Sequence, residues 1–210
     1  MPISPDSIAS RALPAIMALG GTRKLIAVAG PPGSGKSTLA DALSAALADA
    51  GQSAQVVPMD GFHLDNRILE ARGLLTRKGC PESFDADGFL ALVRRIAAGE
   101  SVAYPVFDRA LDVAIAGAAL LVPATEYVIF EGNYLLLDMP PWRDLRAYWS
   151  FALALEEPRA ELERRLVDRW LRHGLSRAEA IRRCAENDMV NADLVLERSG
   201  MADLVVTGGA

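Results

Sequence analysis

The chain has 210 residues, 51% of them apolar and 23% charged, the proportions of one cored globular domain rather than of a fibre or a disordered segment. A net charge of −5 with a pI near 5.1 argues against a duplex-coating protein, which needs a basic surface. Two cysteines far apart in sequence, Cys80 and Cys184, indicate neither a disulfide scaffold nor a zinc site. The first twenty residues carry a single base, Arg11, and a proline, Pro14, inside their apolar stretch, which is not the pattern of a secretory leader. The longest apolar run, 113–122, is too short to span a bilayer. These features predict a cytoplasmic chain with neither nucleic acid nor membrane as partner.

Residues 25–29 form a short apolar run ending in Gly30, the pattern of a buried parallel strand. Leu39, Leu43 and Leu47 then recur at four-residue spacing and predict an amphipathic helix ending near Gly51. A second strand is predicted over 54–59, leading directly into Asp60-Gly61. Asp85 is placed to cap a helix with Phe89, Val93 and Ile96 on one face and Gly99 as its stop. Further strands are predicted over 127–130, ending at Glu131-Gly132, and over 148–155. Pro158 starts a helix with Leu162, Leu166 and Trp170 in register. Ser176 and Glu179 form a capping box ahead of Ile181, Ala185 and Met189. A last strand is predicted over 204–206, with another short one near 194–196. Strands alternating with helices predict an α/β domain with a mostly parallel sheet covered on both faces. No repeat or linker divides it, so residues 1–210 read as one domain. Ligands of such sheets collect at the carboxyl ends of the strands, where both Asp60 and Glu131 fall.

Gly30-Pro31-Pro32-Gly33-Ser34-Gly35-Lys36-Ser37 matches the Walker A pattern, with a strand before it and a helix after. Its glycines let the backbone bend around an anion, and free N–H groups converge on phosphate oxygens. Pro31 and Pro32 lack that group, so the donors are expected from Gly33, Ser34, Gly35, Lys36, Ser37 and Thr38. Lys36 is expected to reach the β- and γ-phosphates of ATP and Ser37 to ligate Mg²⁺. The chain's basic residues are 19 arginines and only three lysines, Lys24, Lys36 and Lys78. A lysine in this place therefore carries weight that an arginine would not. No Asn-Lys-x-Asp guanine motif and no Leu-Ser-Gly-Gly transporter signature is present.

The segments Met59-Asp60-Gly61-Phe62-His63, Arg72-Gly73-Leu74-Leu75, Arg77-Lys78-Gly79, Pro81-Glu82-Ser83-Phe84-Asp85 and Phe130-Glu131-Gly132-Asn133-Tyr134 resemble bacterial pantothenate kinase of the prokaryotic type. The last of them is also similar to uridine kinases, in a wider group that includes phosphoribulokinase. The chain resembles most closely short bacterial proteins labelled as fructose transport system kinases. The resemblance covers about residues 22–206. It implies a P-loop three-layer α/β/α fold with a five-stranded, mostly parallel sheet and a small helical lid at about 158–190. It also implies a kinase that uses ATP and Mg²⁺ to phosphorylate a hydroxyl of a small polar metabolite.

The same resemblance gives Asp60 the role of base toward the acceptor hydroxyl. Independently, a carboxylate at the mouth of the strand expected beside the phosphate loop can meet that hydroxyl, although Gly61 after it also fits a turn-capping aspartate. Glu131, ending an apolar strand, is the expected second ligand of Mg²⁺. The segment 104–109 aligns with a Tyr-Ser-His stretch of pantothenate kinase, with Arg109 in place of the histidine. Tyr104, Asp108 and Arg109, together with His63, Arg77 and Lys78, are candidates for the acceptor pocket. An Asp-Arg pair suits a polyhydroxylated or anionic acceptor. The labels borne by the resembled short proteins, with the change of histidine to Arg109, rank sugars first, pantothenate and nucleosides next. In the resembled kinases a lid arginine stabilises the transferring phosphoryl group. Arg165 and Arg169 share a helix face here, and Arg169 is taken for that role, against the alternative of a solvated face. Asn187, Asp188 and Asn191 resemble a polar segment of the short relatives, with no partner assignable. A homodimer is a further expectation. The rival from another class is a nucleotide-switched regulatory NTPase with no small-molecule acceptor.

Overall fold

The computed structural model describes residues 4–208. Five strands form an all-parallel sheet: β1 (Lys24–Ala29), β2 (Ala54–Pro58), β5 (Tyr127–Gly132), β6 (Phe151–Glu156) and β7 (Leu204–Thr207), in the order β2-β5-β1-β6-β7. Strand side chains alternate between faces, and the two cores follow that alternation. Leu25, Ala27, Ala29, Val128 and Phe130 face one core, with α4 (Ala86–Ala97) and the aromatic residues Tyr134, Trp142 and Trp149. Ile26, Val28, Tyr127 and Ile129 face the other, against α1 (Pro5–Met17) and α2 (Lys36–Asp49). The result is the predicted three-layer α/β/α arrangement. Among the described residues, no helix is long and apolar enough to cross a membrane.

The elements predicted from leucine spacing and caps are present. Leu39, Leu43 and Leu47 are fully buried on α2. The Asp85 carboxylate accepts from the Gly88 N–H at 3.0 Å, and α4 ends before Gly99 at φ 85°. The Ser176–Glu179 capping box opens α6 (Arg177–Arg183). Together with α5 (Arg159–Arg172), α6 and α7 (Met189–Arg198) pack around Leu162, Leu166, Cys184, Met189 and Ala192 in a small core of their own.

Three expectations are corrected. Residues 194–196 belong to α7, not to a strand, because Met189, Ala192 and Val195 bury at three-residue spacing, a helical stripe. The strand expected over 148–155 starts only at Phe151. The residues before it form a 3-10 turn over Trp142–Tyr148, and the Trp149 indole N–H donates to the Leu135 carbonyl at 3.0 Å. Their apolarity serves the core and not a sheet. Ile181, Ala185 and Met189 do not share a buried face, because Cys184–Asp188 form a π-helical turn whose wider pitch shifts the register. Ile181 and Ala185 are exposed, whereas Cys184, Asn187, Asp188 and Met189 are buried.

One unit was not foreseen. β3 (Val102–Asp108) and β4 (Val113–Leu121) form an antiparallel hairpin separate from the main sheet. A further short helix, α3 (Asn66–Ala71), follows the turn after β2. The hairpin sits against that turn, a 3-10 turn over Met59–Phe62. Gly61 there faces the Pro105 carbonyl so closely that a Cβ could not be accommodated.

Candidate active site

At the carboxyl end of β1 the chain turns through Gly33 (φ 83°) and Gly35 (φ 91°), a left-handed backbone that favours glycine, before α2 begins at Lys36. Gly30 is restricted for a different reason, since a Cβ there would stand 2.7 Å from the Ser34 Oγ and 2.9 Å from the Leu155 carbonyl. A Cβ on Gly33 would press at 3.2 Å on Leu166, so α5 supports the loop from outside. The half-buried Lys36 ammonium makes no hydrogen bond or ion pair with the described residues. Desolvation holds its pKa below the usual lysine value, opposed by the nearby charges of Glu131 and Asp60.

Glu131, next to last in β5, is only 5% exposed. Burial pushes its carboxyl up from the usual range, opposed first by Lys36. The Ser37 hydroxyl donates to its Oε2 at 3.1 Å. A hydroxyl and a buried carboxylate in contact, facing an unpaired cation, form a donor set suited to a hard divalent cation that keeps most of its ligands from phosphate and water. The Ser34 Oγ, buried without a partner, is a further polar group turned toward the loop. The loop and its surroundings therefore fit a magnesium-bound nucleoside triphosphate. Among the described residues no cluster of three or more His, Cys, Asp or Glu side chains stands ready to hold a metal alone.

The position of Asp60 corrects the expected adjacency. β2 is not the neighbour of β1, because β5 lies between them and carries Glu131. The order along the cleft is thus Lys36, Glu131, Asp60. The Asp60 Oδ2 accepts from Arg109 Nη2 at 2.8 Å, and the Asp60 side chain remains 24% exposed. His63 lies between the rings of Phe84 and Phe107, at 4.0 and 4.7 Å between centroids. Its Nδ1 is 2.8 Å from the Asp60 carbonyl. A carbonyl only accepts, so Nδ1 carries the proton and Nε2 is left as an acceptor. Burial lowers the pKa of the ring.

The other predicted acceptor residues have structural partners. The buried Tyr104 hydroxyl donates to the Val56 carbonyl at 3.2 Å and accepts from Gln55 Nε2, tying the hairpin to β2. The Asp108 Oδ1 accepts from the Ala110 and Leu111 N–H groups and so caps the hairpin turn. Lys78 has three donors, and all are engaged, by Asn66 Oδ1, the Asp112 carbonyl and Asp112 Oδ2 at 2.7–2.9 Å. These three side chains hold the hairpin in place. Asp60, His63 and Arg109 are the ones brought together in the cleft.

The polar segment of unknown partner finds one. Asn187 donates to the Lys78 carbonyl at 2.9 Å, and Arg77 donates to the Glu186 carbonyl at 2.7 Å and to Asn191 Oδ1 at 3.4 Å. Asp188 accepts from the Trp170 indole at 2.5 Å and from Arg169 at 3.4 Å. The π-helical turn therefore joins α5 to the segment around Lys78. Arg169 lies near enough to lower the Lys36 pKa. Arg165 instead donates to the Gly33 carbonyl at 3.3 Å and pairs with Glu157 and Glu161. Asn66 and Asp112 carry no signal in the sequence, because their role rests on bonds to Lys78, 12 and 34 residues away, and on one to each other across 46.

A family model described as "Methylmalonyl Co-A mutase-associated GTPase MeaB" matches residues 4–63, less than a third of the chain. A protein of Schizosaccharomyces pombe named "Putative uridine kinase" is 36% identical over 198 residues, covering 88% of this chain and 83% of its own. A pantothenate kinase of Streptomyces avermitilis is 35% identical over 159 residues, covering 71% of this chain and 48% of its own. The crystal structure of a "putative fructose transport system kinase" from Silicibacter sp. TM1040 is 50% identical with a TM-score of 0.90. The match covers 97% of this chain and 98% of that one.

Proposed function

The chain belongs to the P-loop small-molecule kinases of the uridine kinase and pantothenate kinase group, and from that premise we propose that it transfers the γ-phosphoryl group of ATP to a hydroxyl of a small polar metabolite, with Asp60 as the base. The observation that carries this reading is the row Lys36, Glu131, Asp60 across the ends of β1, β5 and β2. It lines a cation, a buried carboxylate and a second, partly exposed carboxylate along the carboxyl edge of the sheet.

Bound at the loop, Mg·ATP would supply the phosphoryl group and the metal charge that steadies it. The amides from Gly33 to Thr38 and Lys36 would hold the phosphates, while Ser37 and Glu131 would hold the metal. Positioning and charge neutralisation are most of what such catalysis needs. Asp60 orients the acceptor hydroxyl and takes its proton, a role typically worth about 10²–10⁴-fold. His63 Nε2 and the Arg109 guanidinium offer the acceptor one hydrogen-bond acceptor and a fork of donors. Arg169, held by Asp188, is the lid arginine closest to Lys36 by its electrostatic effect.

That pairing suits a polyhydroxylated or anionic acceptor, so sugars, the class in the name of the Silicibacter protein, are ranked first. Pantothenate and nucleosides follow. The family model describing a GTPase stops at residue 63, so it takes in Asp60 and His63 but not the hairpin, Glu131 or the lid. ADP release from ATP, assayed with D-fructose, pantothenate and uridine, tests the reading. Acceptor-stimulated release that falls about 10²–10⁴-fold in Asp60→Asn, with ATP affinity kept, is the expected result. A slow rate that no acceptor raises favours a nucleotide-switched regulator instead.

A further inference from the structure

We propose that Arg109 is a latch on Asp60. Without acceptor it occupies Oδ2 of the carboxylate and so slows the activation of water against the terminal phosphate. An acceptor frees Asp60 by offering the guanidinium a replacement pair of oxygens, from a carboxylate or from adjacent hydroxyls. The inference rests on the reading of Asp60 as the base.

The asymmetry of the pair comes first. The Arg109 side chain is 66% exposed and that of Asp60 only 24%. The guanidinium can leave into solvent at small cost, whereas Asp60 is fixed on a turn whose Gly61 abuts the Pro105 backbone. The backbone around Arg109 is fixed too. Asp108 caps the hairpin turn, and Lys78 and Asn66 hold Asp112, which stands at φ 56°. Exchange of Arg109 between Asp60 and an acceptor therefore needs only rotation of one long side chain.

The chemistry supplies the reason for such a device. Water presents the same O–H to Asp60 as an acceptor alcohol does. In the wasteful reaction the water oxygen bonds to the γ-phosphorus as the bond from that phosphorus to the β-bridging oxygen breaks. The proton of the water passes to Asp60, and ADP and phosphate leave. With Oδ2 held by Nη2 at 2.8 Å, only Oδ1 stands free, so the latch withdraws one of the two oxygens that could take that proton. An acceptor that draws Arg109 away exposes Oδ2 when a productive hydroxyl is already beside it.

Phosphate release from ATP without acceptor, compared among wild type, Arg109→Gln, Arg109→Lys and Asp60→Asn/Arg109→Gln, tests the latch. The expected result is about two- to fivefold faster hydrolysis in R109Q, the factor an exposed ion pair can supply. R109K should fall between, and the double variant should return to the rate of D60N. R109Q at or below the wild-type rate overturns the latch, and so does a rise that survives removal of the Asp60 carboxylate. D60N assayed with D-fructose, pantothenate and uridine separates the two levels. Retained acceptor-stimulated turnover overturns the base reading and the latch with it. An inactive D60N beside an unchanged R109Q overturns the latch alone.

Discussion

The backbone amides and the lysine that would grip phosphate lie within residues 30–38, whereas the opposite wall of the site takes Asp60 and His63 from the turn after β2 and Arg109 from the hairpin tip. That wall also draws support from Asn66, Lys78 and Asn187. The first region works through backbone amides, and consecutive amides can converge on one anion only if the residues themselves are consecutive. The second works through side chains, whose reach lets distant segments contribute to one surface. In the proposed kinase, phosphate binding is therefore written locally, and acceptor choice is distributed over the fold.

Lys36→Ala should separate the two regions most sharply, lowering phosphotransfer to every acceptor by at least about 10²-fold, the scale of losing one charge-stabilising group. If one acceptor in the ADP-release panel is spared, the loop does not serve all of them. Leu166→Ala acts on the same region from behind, since Leu166 is fully buried in the core shared by α5, α6 and α7 and lies against Gly33. A loss of about 2–5 kcal/mol is expected from the cavity, read as a shift in the urea midpoint, together with weaker ATP binding by calorimetry. Unchanged ATP affinity would uncouple α5 from the loop.

Tyr104→Phe probes the wall. Its hydroxyl bonds to β2 and not into the cleft, so stability should fall by about 1 kcal/mol with the KM of every acceptor nearly unchanged. A large rise in KM would return Tyr104 to the pocket. The smallest effect is expected at Glu161, whose hydrogen bonds with Arg164 and Arg165 lower its pKa from 4.5 to about 2. A depressed carboxylate stabilises the fold above its unfolded pKa and loses that contribution as pH falls through the folded one. Wild type and Glu161→Gln should therefore differ slightly in urea midpoint near neutral pH and converge as pH drops toward about 2. A gap that persists at low pH would mean the effect is not ionic.

The same contrast explains how much the sequence disclosed. Leucine spacing on α2, the Asp85 cap and the Ser176–Glu179 box are local signals, and each marked its element. The hairpin left a weak trace. Residues 113–122 are mostly small apolar residues without alternation, and the turn between the strands, Arg109-Ala110-Leu111-Asp112, has none of the glycine or asparagine pairs that mark tight hairpins. Asp60 and Glu131 were readable as strand-end acids, but the insertion of β5 between β2 and β1 was not, because strand order depends on crossovers that leave no mark on neighbouring residues. Lys78 and Asp108 read as acceptor contacts for a similar reason. Their partners, Asn66 and Asp112 for one and the hairpin turn for the other, are set by how chain segments meet.

The close approach of Gly61 to Pro105 makes the reactive turn and the root of the hairpin one rigid block. Any larger residue at 61 would pry the two apart and tilt the carboxylate away from its work. Beyond that weld, between residues 109 and 112, the chain is surface-exposed. Under the kinase reading, changes confined to Ala110 and Leu111 alter the tip while Asp60, Arg109 and the bonds of Asp112 to Asn66 and Lys78 stay as they are.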